Sequence, residues 1–113
     1  VTGTALPAAF PDGKETYSVF SQSTCQRLKA MMRNNVTSQY GQSQFGDLAV
    51  CAKSGTSQLG GDQKSNAMFA GFVDSDQYPL AFMVVVENGG YGSHTCVPVI
   101  SKVLAACKSV MDN

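Results

Sequence analysis

The sequence predicts an α+β fold: a three-stranded antiparallel sheet with a helix before it and a C-terminal helix packed on one face. Three observations predict it. Strand-length apolar runs at 48–57, 66–74 and 79–87 follow one another with only brief Gly-, Asp- or Ser-rich breaks, and strands joined so briefly pair antiparallel. Apolar residues on either side of these runs recur at helical spacing. The composition, 43% apolar and 14% charged over 113 residues, is that of one small folded domain.

The elements follow in order. Residues 1–22 read as irregular, punctuated by Gly3, Pro7, Pro11, Asp12 and Gly13, with a short extended stretch possible around Tyr17, Val19 and Phe20. Ser23 reads as a helix N-cap, with Gln26 placed three residues on as in a capping box. Leu28, Met31, Met32 and Val36 then give helical spacing over about 24–37, with Lys29 and Arg33 on the outer side and the Met31-Met32 pair as core material. A loop is expected from Ser38 to Asp47, around Gly41 and Gly46.

The first strand runs Leu48 to Ser57, and Leu59-Gly60-Gly61-Asp62 turns the chain. The second covers Asn66 to Asp74, with Met68, Phe69, Phe72 and Val73 as its apolar content. Pro79 opens the third, where a missing N–H is tolerated. Its unbroken Ala81-Phe82-Met83-Val84-Val85-Val86 run predicts burial on both faces. Asn88-Gly89-Gly90-Tyr91-Gly92 breaks the chain before a helix at about 95–111. The expected buried stripe of that helix is Cys96, Val99, Ile100, Val103, Cys107 and Val110, with Pro98 in the first turn. A three-stranded sheet with a doubly apolar strand is incomplete, and implies more strands or another layer.

Lys+Arg and Asp+Glu are both 8, so charge gives no reason to expect nucleic acid or an anionic membrane as partner. No apolar run approaches the ~18–20 residues of a membrane span. The start, Val1-Thr2-Gly3-Thr4, has no signal-peptide character and no initiator Met, so a piece of a longer protein is expected. Cys25, Cys51, Cys96 and Cys107 form no Cys-x-x-Cys, and with the lone His94 they make poor metal spacing. Their spacing does not choose among disulfide connectivities, and small buried hydrophobes is the favoured reading. His94, in a Gly-rich turn, reads as a surface or capping residue. Glu87 reads as a solvated turn residue or a salt-bridge partner, and Asp74 and Asp76 as turn acids that solvate or form Asx turns more often than they bind Ca²⁺.

Five segments together resemble the end of a penicillin-binding protein transpeptidase domain. They are Leu28-Lys29-Ala30-Met31-Met32-Arg33-Asn34-Asn35-Val36, Ala52-Lys53-Ser54-Gly55-Thr56-Ser57, Asn66-Ala67-Met68-Phe69-Ala70-Gly71-Phe72, Val84-Val85-Val86-Glu87-Asn88-Gly89-Gly90 and the Pro98 to Ala106 helix. A lone Lys-Ser-Gly is weak. Its specificity comes from five segments in order over about 23–107.

The resemblance implies a serine acyltransferase: a Ser-x-x-Lys serine attacks the D-Ala-D-Ala amide of a peptidoglycan stem peptide, and a Ser-x-Asn loop relays protons. Neither motif occurs here. Ser23-Thr24-Cys25 formally fits a looser Ser-x-Cys, but at a helix start it reads as a cap. The expectation is a partial domain, one motif of three, inactive alone and part of a larger transpeptidase sheet. By the same resemblance Lys53 supplies positive charge near the substrate carboxylate. Ser54 hydrogen-bonds the substrate or β-lactam carboxylate. Gly55 lets a substrate backbone lie close, and the Thr56 N–H is one oxyanion donor. Peptidoglycan stem peptides and β-lactams are the implied partners of the complete domain, at the outer face of the bacterial cytoplasmic membrane, with no cofactor or metal. Self-association through exposed strand edges is a further expectation. A β-lactamase or β-lactam sensor segment is the nearest alternative, and a non-catalytic binding module the other.

Overall fold

The computed structural model describes residues 18–113, so the lead-in expected at 1–17 lies outside the described residues. The order is helix α1 (Gln22–Asn35), a π-helical turn (Val36–Tyr40), a 3-10 turn (Gln42–Phe45), strands β1 (Val50–Ser57), β2 (Asn66–Val73) and β3 (Ala81–Val86), and helix α2 (Gly92–Asp112). The sheet is antiparallel and open, in the order β1-β2-β3. The α+β class, strand order and flanking helices are those the sequence predicts.

Ser21 caps α1: its hydroxyl accepts from the Thr24 N–H at 3.2 Å. Ser23 instead lies inside the helix. A Ser-x-Ser sequence offers two caps, and the helix takes the earlier one, so Gln26 forms no capping box with Ser23. The stretch expected as a loop continues α1 as a π turn, closed by the Gly41 N–H on the Val36 carbonyl at 2.8 Å. Gly41 has φ 92°, which ends the helical path.

Register explains the core. Val50, Ala52 and Ser54 face Val73, Gly71 and Phe69 across the β1–β2 ladder. Phe69 and Ala67 face Val84 and Val86 on β3. These residues share the face that α2 covers with Cys96, Val97, Ile100 and Leu104. Phe69 is the largest fully buried side chain, with Tyr40 edge-on at 5.1 Å and Phe82 stacked at 5.8 Å between ring centroids. Burial of such a side chain contributes roughly 2–3 kcal/mol.

Gly71 has a steric reason. A Cβ there would lie 2.2 Å from the Cys51 carbonyl oxygen. Gly92 has a similar one, since its Cβ would lie 2.2 Å from the Gly55 carbonyl oxygen. The start of α2 is thus pressed against the strand that carries Lys53 to Thr56.

Four sequence expectations change. β3 is not buried on both faces: Phe82, Val84 and Val86 face the core side, while Met83 and Val85 are more than half exposed. α2 buries Cys96, Val97, Ile100 and Leu104, whereas Val99, Val103 and Val110 are exposed. α2 begins at Gly92, so Pro98 stands in its second turn and leaves the His94 carbonyl without the backbone donor it would have had. In α1 no residue is buried, and Leu28 and Met31 are exposed rather than core. Met32 is half-buried. No helix of the described residues is long and apolar enough to cross a membrane.

Candidate functional site

An antiparallel edge strand turns alternate backbone groups outward. On β1 the outward residues are the even-numbered ones, and side chains from α1 and the π turn meet them in sequence. Arg33 Nη1 donates to the Val50 carbonyl at 3.0 Å. Asn35 Nδ2 donates to the Ala52 carbonyl at 3.1 Å. The Ser54 N–H donates to the Tyr40 hydroxyl at 3.0 Å. The Ser54 carbonyl accepts from Lys53 Nζ at 2.6 Å. By the same alternation the Thr56 N–H faces this edge, and no side chain of the described residues takes it. An edge strand held this way is buried and hydrogen-bonded along its inner half and exposed at its far end.

Side chains alternate as well. Ser54 and Thr56 point to the α2 side. Tyr40 donates its hydroxyl proton to Ser54 Oγ at 2.9 Å, and Thr56 Oγ1 accepts from the Gly92 N–H at 3.3 Å. Lys53 and Gly55 point to the opposite face, with Met68 and Ala70 as their cross-strand neighbours. Lys53 is exposed. Among the described residues it enters no ion pair, unlike Lys29, which meets Asp74 at 3.1 Å, or Lys108, which meets Asp47 and Asp112. The structure therefore brings Lys53, Ser54, Gly55 and Thr56 to the exposed half of one edge strand, offering an ammonium, a hydroxyl, a bare backbone and an outward N–H.

Gly55 differs from Gly71 and Gly92. A Cβ at position 55 would meet only Met68 Cβ at 3.5 Å, an ordinary contact. Its φ is not positive either. Nothing in the described fold requires glycine there, and a strand glycine costs roughly 0.5–1 kcal/mol relative to alanine.

Other nucleophiles and bases are poorly placed. All four cysteines are free thiols; Cys51 and Cys96 are buried, Cys107 half-buried and Cys25 exposed. The buried-hydrophobe reading therefore holds for two of the four. Burial pushes the Cys51 thiol above its ordinary value, and nearby Asp74 adds to this while Arg33 and Lys29 oppose it. Burial alone raises Cys96. A raised, buried thiol is a poor nucleophile. His94 is exposed in the first turn of α2, which bears out its surface reading. Asp74 is more than a solvated turn acid, because it pairs with Lys29. No group of three or more His, Cys, Asp or Glu among the described residues is placed to hold a metal.

Sequence reasoning missed Tyr40. It falls in a stretch expected as loop, and its link to Ser54 is tertiary. The one available signal was an aromatic residue directly before Gly41, which by itself points nowhere.

The family model described as penicillin binding protein transpeptidase domain matches residues 9–105. No curated protein and no solved structure matches the chain.

Proposed function

The chain belongs to the penicillin-binding protein transpeptidase domain family, and from that premise we propose that it is the C-terminal part of a D,D-transpeptidase domain that cross-links peptidoglycan stem peptides through a serine acyl-enzyme. One observation carries most weight. The half of β1 bearing Lys53 to Thr56 is exposed or half-buried, and includes a glycine that the fold does not require.

In this role a stem peptide or β-lactam lies along the outer edge of β1. Lys53 supplies a cationic field for the ligand carboxylate, and at an effective dielectric of ~20 a unit charge at 4 Å acts with about 4 kcal/mol. Ser54 donates its hydroxyl to the same carboxylate. Gly55 leaves room for the ligand backbone. The Thr56 N–H stabilises the oxyanion of the tetrahedral intermediate, a contribution of roughly 3–4 kcal/mol per donor. The nucleophile and proton relay come from Ser-x-x-Lys and Ser-x-Asn motifs absent from these 113 residues. The chain alone therefore binds part of the substrate and forms no acyl-enzyme. The complete protein works at the outer face of the bacterial cytoplasmic membrane.

Fluorescent penicillin tests this directly. The 113-residue chain stays unlabelled, while the complete protein is labelled on a serine of a Ser-x-x-Lys motif. Covalent labelling of the 113-residue chain would overturn the proposal.

A further inference from the structure

The geometry points to Tyr40 as a positioning residue: its hydroxyl fixes Ser54 so that the serine's own proton is left free for an anionic oxygen of the ligand. This rests on the proposed role of Lys53 to Thr56 as a substrate-binding strand.

The hydrogen-bonding capacity of Ser54 can be counted. Its N–H donates to the Tyr40 hydroxyl at 3.0 Å. Its carbonyl accepts from Lys53 Nζ at 2.6 Å. Its Oγ accepts from the Tyr40 hydroxyl at 2.9 Å. The remaining donor is the Ser54 hydroxyl proton.

Proton direction follows from acidity. A phenol is a far better hydrogen-bond donor than an aliphatic hydroxyl. Tyr40 carries one proton, and one of its lone pairs is occupied by the Ser54 N–H. Its proton therefore goes to Ser54 Oγ. A hydroxyl that already accepts a hydrogen bond is a stronger donor in turn, since bonds in a chain polarise one another. With its Oγ accepting from Tyr40, Ser54 has its own hydroxyl proton set to donate to a carboxylate.

Tyr40 is itself held. Its ring stands edge-on to Phe69 at 5.1 Å and 78°, and the π turn that carries it is closed at Gly41. Phe69 is fully buried and pairs across the ladder with Ser54. Tyr40, Phe69 and Ser54 thus form one packed unit, so the phenol hydroxyl has little freedom to leave the serine.

Tyr40→Phe keeps the ring and removes only the hydroxyl. In the complete protein we expect the second-order acylation rate by benzylpenicillin to fall roughly three- to tenfold, the worth of one hydrogen bond. The loss should lie in the half-saturating concentration, not in the maximal acylation rate. In a Ser54→Ala background the same substitution should add nothing. Amide exchange at residue 54 should quicken in Tyr40→Phe. An equal loss in both backgrounds, or wild-type acylation and wild-type exchange, would overturn the inference. A complete wild-type protein that benzylpenicillin fails to acylate would instead overturn the proposed function. Exchange at residue 54 would still decide whether Tyr40 holds the serine.

Discussion

The two halves of β1 are one strand by register and two regions by environment. Val50, Cys51 and Ala52 are completely buried, with α2 packed over one side, Arg33 and Asn35 on their outer carbonyls and α1 close to Cys51. From Lys53 onward the strand is half-buried or exposed. The ladder to β2 continues unbroken through Ser57. Shape is therefore set by the first half and by β2, and transmitted to the second half, whose chemistry stays accessible. A site gains precision when a rigid element carries it. Glycines mark the same division: Gly71 and Gly92 are sterically required, whereas Gly55 is not.

Several substitutions can break or sharpen that division. The largest effect should come from Phe69→Ala, beneath both halves. It removes the largest fully buried side chain, and roughly 3–5 kcal/mol of stability should be lost in a urea titration. A loss below about 1 kcal/mol would mean that the core does not set the strand. Gly92→Ala comes next. Its Cβ would lie 2.2 Å from the Gly55 carbonyl oxygen and 2.7 Å from that of Met68, so the start of α2 must move, at roughly 1–3 kcal/mol. Circular dichroism melts of the variant would show it.

A subtler effect is a pH dependence from the buried half. Cys51 and Cys96 have thiol pKa values raised by burial from 9.0. The unfolded thiols ionise first, so their contribution to stability is intact below that value and falls as pH rises through the folded pKa. Urea midpoints should therefore drop on the alkaline side, and Cys51→Ala and Cys96→Ala should each remove part of the drop. Unchanged slopes in both variants would show that these thiols are not desolvated.

Much of this was legible in the sequence because local signals agreed. The Gly60-Gly61 and Asn88-Gly89-Gly90 breaks adopt the positive φ angles such residues accommodate at Gly60, Gly61, Asn88 and Gly90. They separate the apolar runs cleanly enough for β1, β2 and β3 to fall within one or two residues of expectation. What failed were inferences from apolarity to burial. Met83 and Val85 are apolar and exposed because α1 covers that face only at β1, around Cys51, and no described residue covers it at β3. Leu28 and Met31 are exposed because α1 runs beside β1 and buries no residue. α2 carries apolar residues on two faces, Ile100 with Leu104 and Val99 with Val103, so periodicity alone could not say which one meets the sheet. Of the candidate site, Lys53 to Thr56 was legible as a motif. Tyr40 was not, since hydrogen bonds between residues 40 and 54 obey no spacing rule.

Gly55→Ala tests the division most directly, measured as stability and penicillin acylation on the same complete protein. Because the alanine methyl meets only Met68 at 3.5 Å, the fold should keep its stability or gain up to about 1 kcal/mol. Acylation should fall about a hundredfold, as expected when a ligand is displaced by about 1 Å from its reacting position. Wild-type acylation, or a loss of stability matching the loss of labelling, would show that the outer half of β1 serves the fold and not a ligand.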